Sequence, residues 1–292
     1  MSRPSPVLVT GAAGQLGGVG AHVVSHLLSA NTPVRALVVV ADLTNPEEIS
    51  SAVHGCRRVF FSTSVSPQYL EATAVLAAAA RATPGGIELL VNMSQMTVSQ
   101  LDITHSSSFS PQHRLQWLSE QVLNWSGVPV THLRPTVFHE NPLFWSLAAK
   151  SLTDTPDTIT LPFGRSLISP IAAADVGAVA AKVLLEPDAA RYAGRVLELT
   201  GPRAEDMYSL VEEYSAGLGR LIRYEEIPLE TWREKMLAKS DMSEHVVQHV
   251  LTMARLHAEG KYDRYTSTVE DVLGRPAVSI SKTIREGKFP IS

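Results

Sequence analysis

Hydrophobic and polar positions along the first half of the chain predict strands that alternate with helices. Apolar runs of strand length fall at 7–9, 33–43, 58–63, 87–93 and 130–134. Between them, apolar residues recur at helical spacing in 45–54, 67–82 and 111–125. In the last of these, one face carries Leu115, Leu118, Val122 and Trp125. Because strands that alternate with helices form parallel sheets, the pattern predicts an α/β protein with a doubly wound parallel sheet.

The second half of the chain follows a different pattern. A return to the main sheet is indicated by 168–171, 175–185 and 195–201, and a short strand by 223–227. Further helices are predicted at 142–151, 205–216, 229–239 and 243–259. We therefore expect a Rossmann domain over 1–141, with its sheet completed by about 168–201, and a smaller, mostly helical lobe over 142–167 and 202–292.

The run 33–43 contains an inconsistency. Residues 35–38 are typical of the end of a second strand and residues 39–42 of the end of a third, with nothing between them. Parallel neighbours need a crossover of at least about 10–12 residues, so both strands cannot form. Either one strand and its helix are absent, or a loop is missing from the sequence. We favour the missing loop, because surface connections of this kind are often loose when no ligand is bound.

Three glycines follow the first strand in GxxGxxG spacing, at Gly11, Gly14 and Gly17. A helical pattern begins beside them, with Leu16 and Val19 on its apolar stripe. In such a loop one glycine permits a tight turn, one lets backbone approach a pyrophosphate, and one lets the helix pack on the strand. The amino end of the new helix offers unpaired N–H groups to phosphate oxygens. The stretch predicts a dinucleotide site; the alternative is a turn that only packs.

Composition excludes several classes of protein. The net charge of −4 provides no basic field, so we expect no nucleic-acid partner. No apolar run reaches the roughly 18 residues of a membrane span. The single cysteine, Cys56, excludes an intrachain disulfide, and the ten histidines are scattered without metal-ligand spacing, so we expect no metal site. A reducing cytoplasm is the expected compartment.

The chain resembles the NmrA-like family of atypical short-chain dehydrogenase/reductases over nearly its whole length. The resemblance is carried by VLVTGAAGQLGG at 7–18, ADLTNPEEI at 41–49, VNMSQM at 91–96, LRPTVFHEN at 133–141, LPFG and ISPI within 161–171, AADVGAVAAKVL at 173–184, LELTGP at 197–202 and LGRLIRYEEIP at 218–228. Proteins of this family bind NAD(P)(H). Some reduce quinones or related acceptors, and others sense the cofactor without turnover.

The resemblance implies a set of cofactor-binding residues. The pyrophosphate would be held by Thr10, Gly11, Gly14, Gln15, Leu16 and Gly17, and the adenine flanked by Asp42 and Leu43. The ribose and nicotinamide channel would be lined by Ser62, Thr63 and Ser64. The nicotinamide would lie over Asn92, Met93 and Ser94 and beside Pro135, Thr136 and Phe138. The family favours NADP(H) over NAD(H).

The chain departs from ordinary short-chain dehydrogenases at the residues that supply the proton. Their Tyr-x-x-x-Lys pair corresponds here to Gln112 and Gln116, and glutamine does not titrate. Gln116 can still hydrogen-bond a ribose hydroxyl. The catalytic residues are therefore unknown, with Gln116 and Ser94 as candidates. His113 or Arg114 is an alternative proton carrier, although neighbouring helix positions turn away from the face of Gln112 and Gln116.

Together these features predict an NAD(P)H-binding oxidoreductase that passes hydride to a small planar acceptor such as a quinone. The reduced acceptor takes its proton from water. The alternatives are a redox-sensing regulator that binds NAD(P)(H) and acts through protein contacts, and a biosynthetic enzyme without net redox change. A homodimer is left open. Six residues of the second half are predicted either to line an acceptor pocket or to pack in the core. They are Trp145, Trp232, Met253, His257, Tyr262 and Tyr265.

Overall fold

The structure, a computed structural model, describes residues 5–12, 18–36, 42–101, 108–140, 157–239 and 242–286. The chain divides into two compact units. Unit 1 comprises Met1–Arg134 and Val176–Glu198, and unit 2 comprises Pro135–Asp175 and Leu199–Ser292.

Most predicted strands and helices form within a few residues of their predicted bounds, but the segment 168–171 makes only single bridges instead of a strand. The strand Thr158–Leu161 and the helices Thr268–Leu273 and Ile280–Arg285 were not predicted. The strands are β1 (Val7–Val9), β2 (Val34–Ala36), β3 (Arg58–Phe61), β4 (Leu89–Met93), β5 (Val130–Pro135), β6 (Thr158–Leu161), β7 (Val196–Leu199) and β8 (Arg223–Glu226). The α-helices are α1 (Val19–Ser29), α2 (Pro46–Val53), α3 (Tyr69–Ala82), α4 (Pro111–Trp125), α5 (Ala173–Leu185), α6 (Met207–Leu218), α7 (Leu229–Lys239), α8 (Glu244–Ala258), α9 (Thr268–Leu273) and α10 (Ile280–Arg285). The helix predicted at 142–151 lies outside the described residues.

A six-stranded sheet has the strand order β2-β1-β3-β4-β5-β7. The pairs β1–β2, β1–β3, β3–β4 and β4–β5 are parallel. The predicted α/β fold with a doubly wound parallel sheet is therefore confirmed. The chain reverses its direction across the sheet between β2 and β3, so β1 and β3 flank a topological switch point. In open α/β sheets, ligands bind outside the carboxyl ends of the strands at such a point.

Helices cover both faces of this sheet. One core cluster joins residues of β1, β3, β4 and β5 to α2, α3 and α4, with Leu8, Phe61, Leu76, Leu90 and Leu123 buried in it. Because crossovers between parallel strands are right-handed, α1 lies on the opposite face from α2, α3 and α4. There α1 contacts α5 so closely that a Cβ on Gly177 would lie 2.4 Å from the Cβ of His22.

The start of α2 follows the predicted capping pattern. Asn45 has an extended backbone, and its side-chain oxygen accepts hydrogen bonds from the backbone N–H groups of Glu47 (3.0 Å) and Glu48 (3.3 Å). Pro46 occupies the first helical turn, where a missing N–H costs nothing. Within the described part of the run 33–43, Val34–Ala36 forms a strand, whereas Asp42 and Leu43 precede α2 without strand structure. Residues 37–41 lie outside the described part, so the missing loop stays a prediction.

Helix α4 has the predicted bounds but a different buried face. Trp125 is 73% exposed, and Leu115, Leu118 and Val122 are only partly buried. The four apolar residues therefore do not form the most buried face of this helix, although Val122 packs against the core. The residues that α4 does bury are Gln112, His113, Ser119, Glu120 and Leu123. Polar partners on α3, β5 and neighbouring loops offset the cost of burying polar groups on this face. The hydrophobic periodicity of the sequence does not reveal such pairing.

Unit 2 contains the two-stranded parallel sheet β6–β8 and the helices α6–α10. Helix α6 packs on α10 through Gly217, where a Cβ would lie 2.8 Å from Ile284 side-chain atoms. Single bridges join Phe138 to Ile171 and Ile168 to Glu205. In the part of the chain that the structure covers, no helix is both long and apolar enough to span a bilayer.

Candidate functional site

The turns that follow β1 and β3 lie side by side in unit 1, because the two strands are parallel neighbours. The Thr10 hydroxyl donates a hydrogen bond to the Ser62 carbonyl oxygen (2.8 Å) and accepts one from the Ser62 N–H (2.9 Å). Gly11 follows with a φ of 67°, in the left-handed region that favours glycine. A Cβ on Gly11 would lie 3.0 Å from the Ser62 carbonyl oxygen. The turn therefore holds a bare backbone at the switch point, as a phosphate-binding loop requires.

A fourth glycine, which the sequence interpretation missed, closes this turn onto α1. A Cβ on Gly20 would lie 2.4 Å from the Gly11 carbonyl oxygen and 2.9 Å from the Ala12 nitrogen. Backbone atoms cannot move aside as a flexible side chain can, so only glycine fits here. The signal was present, since Gly20 extends the spacing of Gly11, Gly14 and Gly17 by another three residues. The predicted residues Gly14, Gln15, Leu16 and Gly17 lie outside the described part of the chain.

The carboxyl end of β4 and the adjacent face of α4 carry buried polar atoms that lack hydrogen-bond partners within the described structure. These atoms are Asn92 Oδ1, Ser94 Oγ, Gln95 Nε2 and Gln116 Oε1. Buried polar atoms are nearly always paired in native proteins, so each needs an explanation. A ligand bound at this edge of the sheet would supply such partners. Three of these residues, Asn92, Ser94 and Gln116, belong to the predicted cofactor-binding set.

The orientation of Asn92 is fixed by a hydrogen-bonded chain. Asn124 Oδ1 lies 3.0 Å from His132 Nε2, and His132 Nδ1 lies 3.0 Å from Asn92 Nδ2. An oxygen can only accept, so Nε2 carries the imidazole proton and Nδ1 accepts from the Asn92 amide. Burial lowers the pKa of His132, which favours this neutral form. The amide nitrogen of Asn92 therefore faces His132, and its oxygen is left for another donor.

A buried ion pair lies next to this chain. Arg134 donates to both carboxylate oxygens of Glu120, from Nε at 3.0 Å and from Nη2 at 2.5 Å. The Glu120 side chain is only 1% exposed. Nearby, the Tyr69 hydroxyl donates to the Met93 carbonyl oxygen (3.0 Å), and burial, with a further contribution from Glu120, raises the pKa of Tyr69. Tyr69 is therefore neutral and too weak an acid to supply a proton at pH 7.

Replacing Glu120 with glutamine is expected to lower the free energy of unfolding by about 3 kcal/mol, because it leaves the Arg134 charge partly buried without its counterion. Urea unfolding measures the change. Glu88 provides the control. It too forms ion pairs with arginine, in this case with two of them, but its side chain is 38% exposed. Glu88→Gln should cost no more than about 1 kcal/mol. Equal losses in the two variants would contradict the assignment of a strong buried pair.

The predicted proton carriers on α4 are accounted for as follows. Gln112 Oε1 accepts a hydrogen bond from the Ser66 N–H (3.2 Å) and so joins α4 to the loop after β3. His113 is buried, with Nδ1 2.8 Å from the Ser110 hydroxyl and its ring edge-on to Phe109. Arg114 is exposed. Nothing at Gln112 or Gln116 titrates, so the helix face that carries the acid in ordinary short-chain dehydrogenases has none here.

The predicted adenine-side residues lie before α2. Asp42 Oδ1 accepts from the Thr44 hydroxyl (2.7 Å) and N–H (2.9 Å), and these hydrogen bonds lower the pKa of Asp42. Leu43 packs against the α2–α3 core. Arg35 donates to the carbonyl oxygens of Ala52 (2.7 Å) and His54 (2.6 Å) at the end of α2. Its guanidinium therefore stabilises a helix terminus.

The remaining predicted residues are placed in both units. In unit 1, Thr63 is partly buried, Ser64 is exposed and Met93 is buried. In unit 2, Pro135 and Thr136 are buried and Phe138 is partly buried. Thr136 Oγ1 also lacks a hydrogen-bond partner within the described residues.

A groove of about 350 Å³ lies in unit 1 at the opposite, amino end of the strands. Its lining includes Arg57, Arg58 and Glu88. Arg58 donates to Glu88 and to the carbonyl oxygens of Leu184 and Glu186 at the end of α5. These charges are engaged within the protein, so we assign them a structural role. Among the described residues, no group of three or more His, Cys, Asp or Glu side chains is arranged to hold a metal ion.

The chain is similar to several reductases. It is 29% identical to (4-alkanoyl-5-oxo-2,5-dihydrofuran-3-yl)methyl phosphate reductase of Streptomyces griseus, over 93% of this chain and 94% of that protein. It is 28% identical to the NAD(P)H azoreductase of Xenophilus azovorans, over 90% and 92% respectively. Its fold is similar to that of the NADPH-dependent quinone oxidoreductase QOR2 of Escherichia coli solved with NADPH, with a TM-score of 0.78, 19% identity and coverage of 97% and 99%.

The family model covers most of the chain, including the strands β3 to β8 and all helices from α2 onward. The match extends over residues 36–286. The protein therefore belongs to the NmrA-like family.

Proposed function

We propose that the protein is an NAD(P)H-dependent oxidoreductase that transfers hydride to planar, electron-poor acceptors. The observation that carries the proposal is the group of buried polar atoms without partners at the carboxyl end of β4 and on α4, beside the glycine turn at the switch point. A dinucleotide would bring phosphate oxygens to the turn and ribose hydroxyl and amide groups to the polar atoms.

The residues present fit such a cofactor. Gly11 and Gly20 keep side chains out of the turn, which leaves room for a diphosphate against the backbone. Ser94 Oγ and Gln116 Oε1 can bond ribose or carboxamide groups, and Asn92 Oδ1, fixed by His132, accepts from an N–H or O–H. The reduced nicotinamide supplies the hydride when bound. The protein's own contribution is to bind, orient and exclude water.

The lack of an acid at positions 112 and 116 favours one class of acceptor. Reduction of an isolated ketone needs a proton donor at the oxygen, and neither glutamine can provide it. A planar, conjugated acceptor such as a quinone spreads the added charge and can take its proton from water. The names of the relatives, an oxo-dihydrofuran phosphate reductase, an azoreductase and a quinone oxidoreductase, support this class.

We also propose NADP(H) as the preferred cofactor, a cytoplasmic location and, as a further option, a homodimer. Calorimetric titration with NADPH and NADH tests binding and preference together. Oxidation of NADPH, followed at 340 nm with a panel of quinones, tests turnover. The oxidoreductase proposal fails if NADPH binds but no acceptor accelerates its oxidation.

The second candidate function is a redox sensor that binds NAD(P)(H) without turnover. The observation that favours it is the same pair of non-titrating residues, Gln112 and Gln116, on the helix face that otherwise carries the acid. A sensor would bind the nucleotide and change its affinity for a protein partner with the cofactor's redox state. Stoichiometric binding without NADPH consumption would select this alternative.

Replacing Ser94 with alanine is expected to weaken NADPH binding about tenfold while leaving stability unchanged or slightly raised. The hydroxyl has no hydrogen-bond partner in the described protein, so removing it breaks no hydrogen bond of the cofactor-free protein. Ser119 is the matched control, because its buried hydroxyl lies 3.1 Å from that of Thr73. Ser119→Ala should lower the free energy of unfolding by about 1 kcal/mol and leave the NADPH affinity unchanged. Calorimetry and urea unfolding measure the two effects, and an unaltered affinity in Ser94→Ala would remove Ser94 from the site.

A further inference from the structure

Gln95 is the first residue beyond the hydrogen-bonded end of β4 in unit 1. The Ser94 N–H donates to the Leu133 carbonyl oxygen (2.8 Å), which continues the pairing of β4 with β5 by one residue. Gln95 comes next, with an extended backbone (φ −155°, ψ 159°), and caps a short 3₁₀ helix at Met96–Gln100. It therefore lies at the carboxyl edge of the sheet, where ligands bind in folds of this kind.

The amide of Gln95 has a defined orientation. Its Oε1 accepts hydrogen bonds from the Thr97 N–H (3.0 Å) and from the Thr97 hydroxyl (2.6 Å). A backbone N–H can only donate, so the oxygen of the amide, and not its nitrogen, must face Thr97. The Nε2 on the other side of the amide is buried and has no hydrogen-bond partner within the described residues. Gln95 thus presents a fixed hydrogen-bond donor.

Capping alone does not explain a glutamine at this position. Serine, threonine, aspartate and asparagine are the residues that helices prefer for a cap, and a single oxygen is sufficient for it. The amide nitrogen of Gln95 adds nothing to the cap, and a buried N–H without a partner costs free energy. A ligand atom that accepts from Nε2 would account for the residue.

The hydrogen-bonding type of Gln95 Nε2 differs from that of the other unpaired atoms at this edge. Asn92 Oδ1 and Gln116 Oε1 can only accept, and the Ser94 hydroxyl can accept as well as donate. These three suit the hydroxyl and amide N–H groups of a dinucleotide. Gln95 Nε2 can only donate, so its partner must be an acceptor atom such as a carbonyl oxygen.

We propose that Gln95 Nε2 donates a hydrogen bond to a carbonyl oxygen of the electron acceptor and thereby favours planar acceptors that carry such an oxygen. The inference rests on the proposed oxidoreductase function and deepens it. Hydride transfer leaves negative charge on that oxygen, and a donor already held in place strengthens its hold as the charge develops. The amide does not titrate, so Gln95 keeps its proton and water protonates the product.

The test compares two acceptors in variants of the full-length protein. The acceptors are 1,4-naphthoquinone, which has carbonyl oxygens, and a cationic triarylmethane dye with tertiary amines, which has none. Gln95→Met keeps the length of the side chain but removes both the donor and the cap. Gln95→Glu keeps an oxygen for the Thr97 N–H but replaces the donor with an acceptor. The same two substitutions at Gln68 are the controls, because Gln68 is an exposed glutamine just before α3.

In both Gln95 variants we expect kcat/KM for 1,4-naphthoquinone to fall at least about tenfold, mostly through kcat, because the lost hydrogen bond is strongest when charge has developed. The value for the dye should fall by no more than about twofold. The NADPH affinity of Gln95→Met, measured by calorimetry, should stay within about twofold of the wild type. Both Gln68 variants should behave as the wild type does.

Three outcomes would overturn the proposal while leaving the oxidoreductase function intact. Unchanged quinone kinetics in Gln95→Met would show that the donor has no role in turnover. Loss of activity in Gln95→Met with full activity in Gln95→Glu would assign Gln95 to the cap alone. Parallel losses for both acceptors, or a tenfold loss of NADPH affinity in Gln95→Met, would place the donor on the carboxamide oxygen of the cofactor. If the wild type reduces only the quinone, the NADPH affinity replaces the comparison with the dye.

If no acceptor accelerates NADPH oxidation by the wild type, the proposed function fails and binding decides the inference. The probe is then 1,4-naphthoquinone, added in the presence of NADP⁺, and the readout is the shift in melting temperature that the quinone causes. A shift that is present in the wild type and in Gln68→Met but lost in Gln95→Met supports the hydrogen bond. An equal shift in all three proteins, or none in the wild type, overturns it.

Discussion

Replacing Gly20 with alanine is expected to weaken NADPH binding by more than about tenfold and to lower the free energy of unfolding by about 3 kcal/mol. In an exposed helix the same change would stabilise the protein by up to about 1 kcal/mol, because glycine is a poor helix former. Here the added Cβ would lie 2.4 Å from the Gly11 carbonyl oxygen, so α1 must move away from the turn after β1. The steric term outweighs helix propensity, and the same shift deforms the proposed phosphate site.

Gly55→Ala is the matched control for this experiment. Gly55 has a φ of 76°, and a Cβ there would contact nothing within 4 Å. The substitution should therefore cost about 1 kcal/mol of backbone strain and leave the NADPH affinity unchanged. Calorimetric titration and urea unfolding provide both quantities. If Gly20→Ala bound NADPH as tightly as the wild type, the turn after β1 would not be the diphosphate site.

Lowering the pH from 7 to 5 is expected to destabilise unit 2 by several kcal/mol. Burial lowers the pKa of His139 to about 4, that of His249 to about 3, with a further contribution from His245, and that of His257 to about 4. In the unfolded chain each titrates near 6.5. Below that pH the unfolded state therefore binds more protons than the folded state, and stability falls with pH.

The size of the effect follows from the pKa differences. At pH 5 each of the three histidines contributes about 2 kcal/mol of destabilisation, or about 6 kcal/mol together, which is comparable to the whole stability of an ordinary domain. Well above pH 6.5, where the histidines of the unfolded chain are also deprotonated, these groups have little effect on the stability. At His139, burial outweighs the hydrogen bond from Nε2 to the Pro170 carbonyl oxygen, which by itself would raise the pKa.

Urea unfolding followed by circular dichroism between pH 7.5 and pH 5 measures this loss. His257→Phe should reduce it by about a third, since one of the three groups is removed. A free energy of unfolding that is the same at pH 7.5 and pH 5 would show that the three histidines are not buried as described.

The elements of this protein were predictable where a local signal specifies them. Asn45 and Pro46 mark the start of α2, and Ser110 and Pro111 mark that of α4, because caps act within one helical turn. The short apolar runs before Thr10 and Ser62 predicted strands whose carboxyl ends meet. The orientation of α4 was not predictable in the same way. Its buried Glu120 depends on Arg134, fourteen residues later, and no periodicity records such a pairing.

Sequence by itself determined the strand–helix order, the glycine turn, the lack of a titrating pair at Gln112 and Gln116, and the family, since each depends on residue type and near neighbours. Tertiary structure alone decided which polar groups are buried and which of them stay unpaired. It showed that Gly20 lies against Gly11 whereas Gly55 faces open space. It also distinguished His257, whose ring has no hydrogen bond in the described structure, from the hydrogen-bonded His132. The physical reason is that steric fit and desolvation depend on atoms that meet only after distant segments have packed.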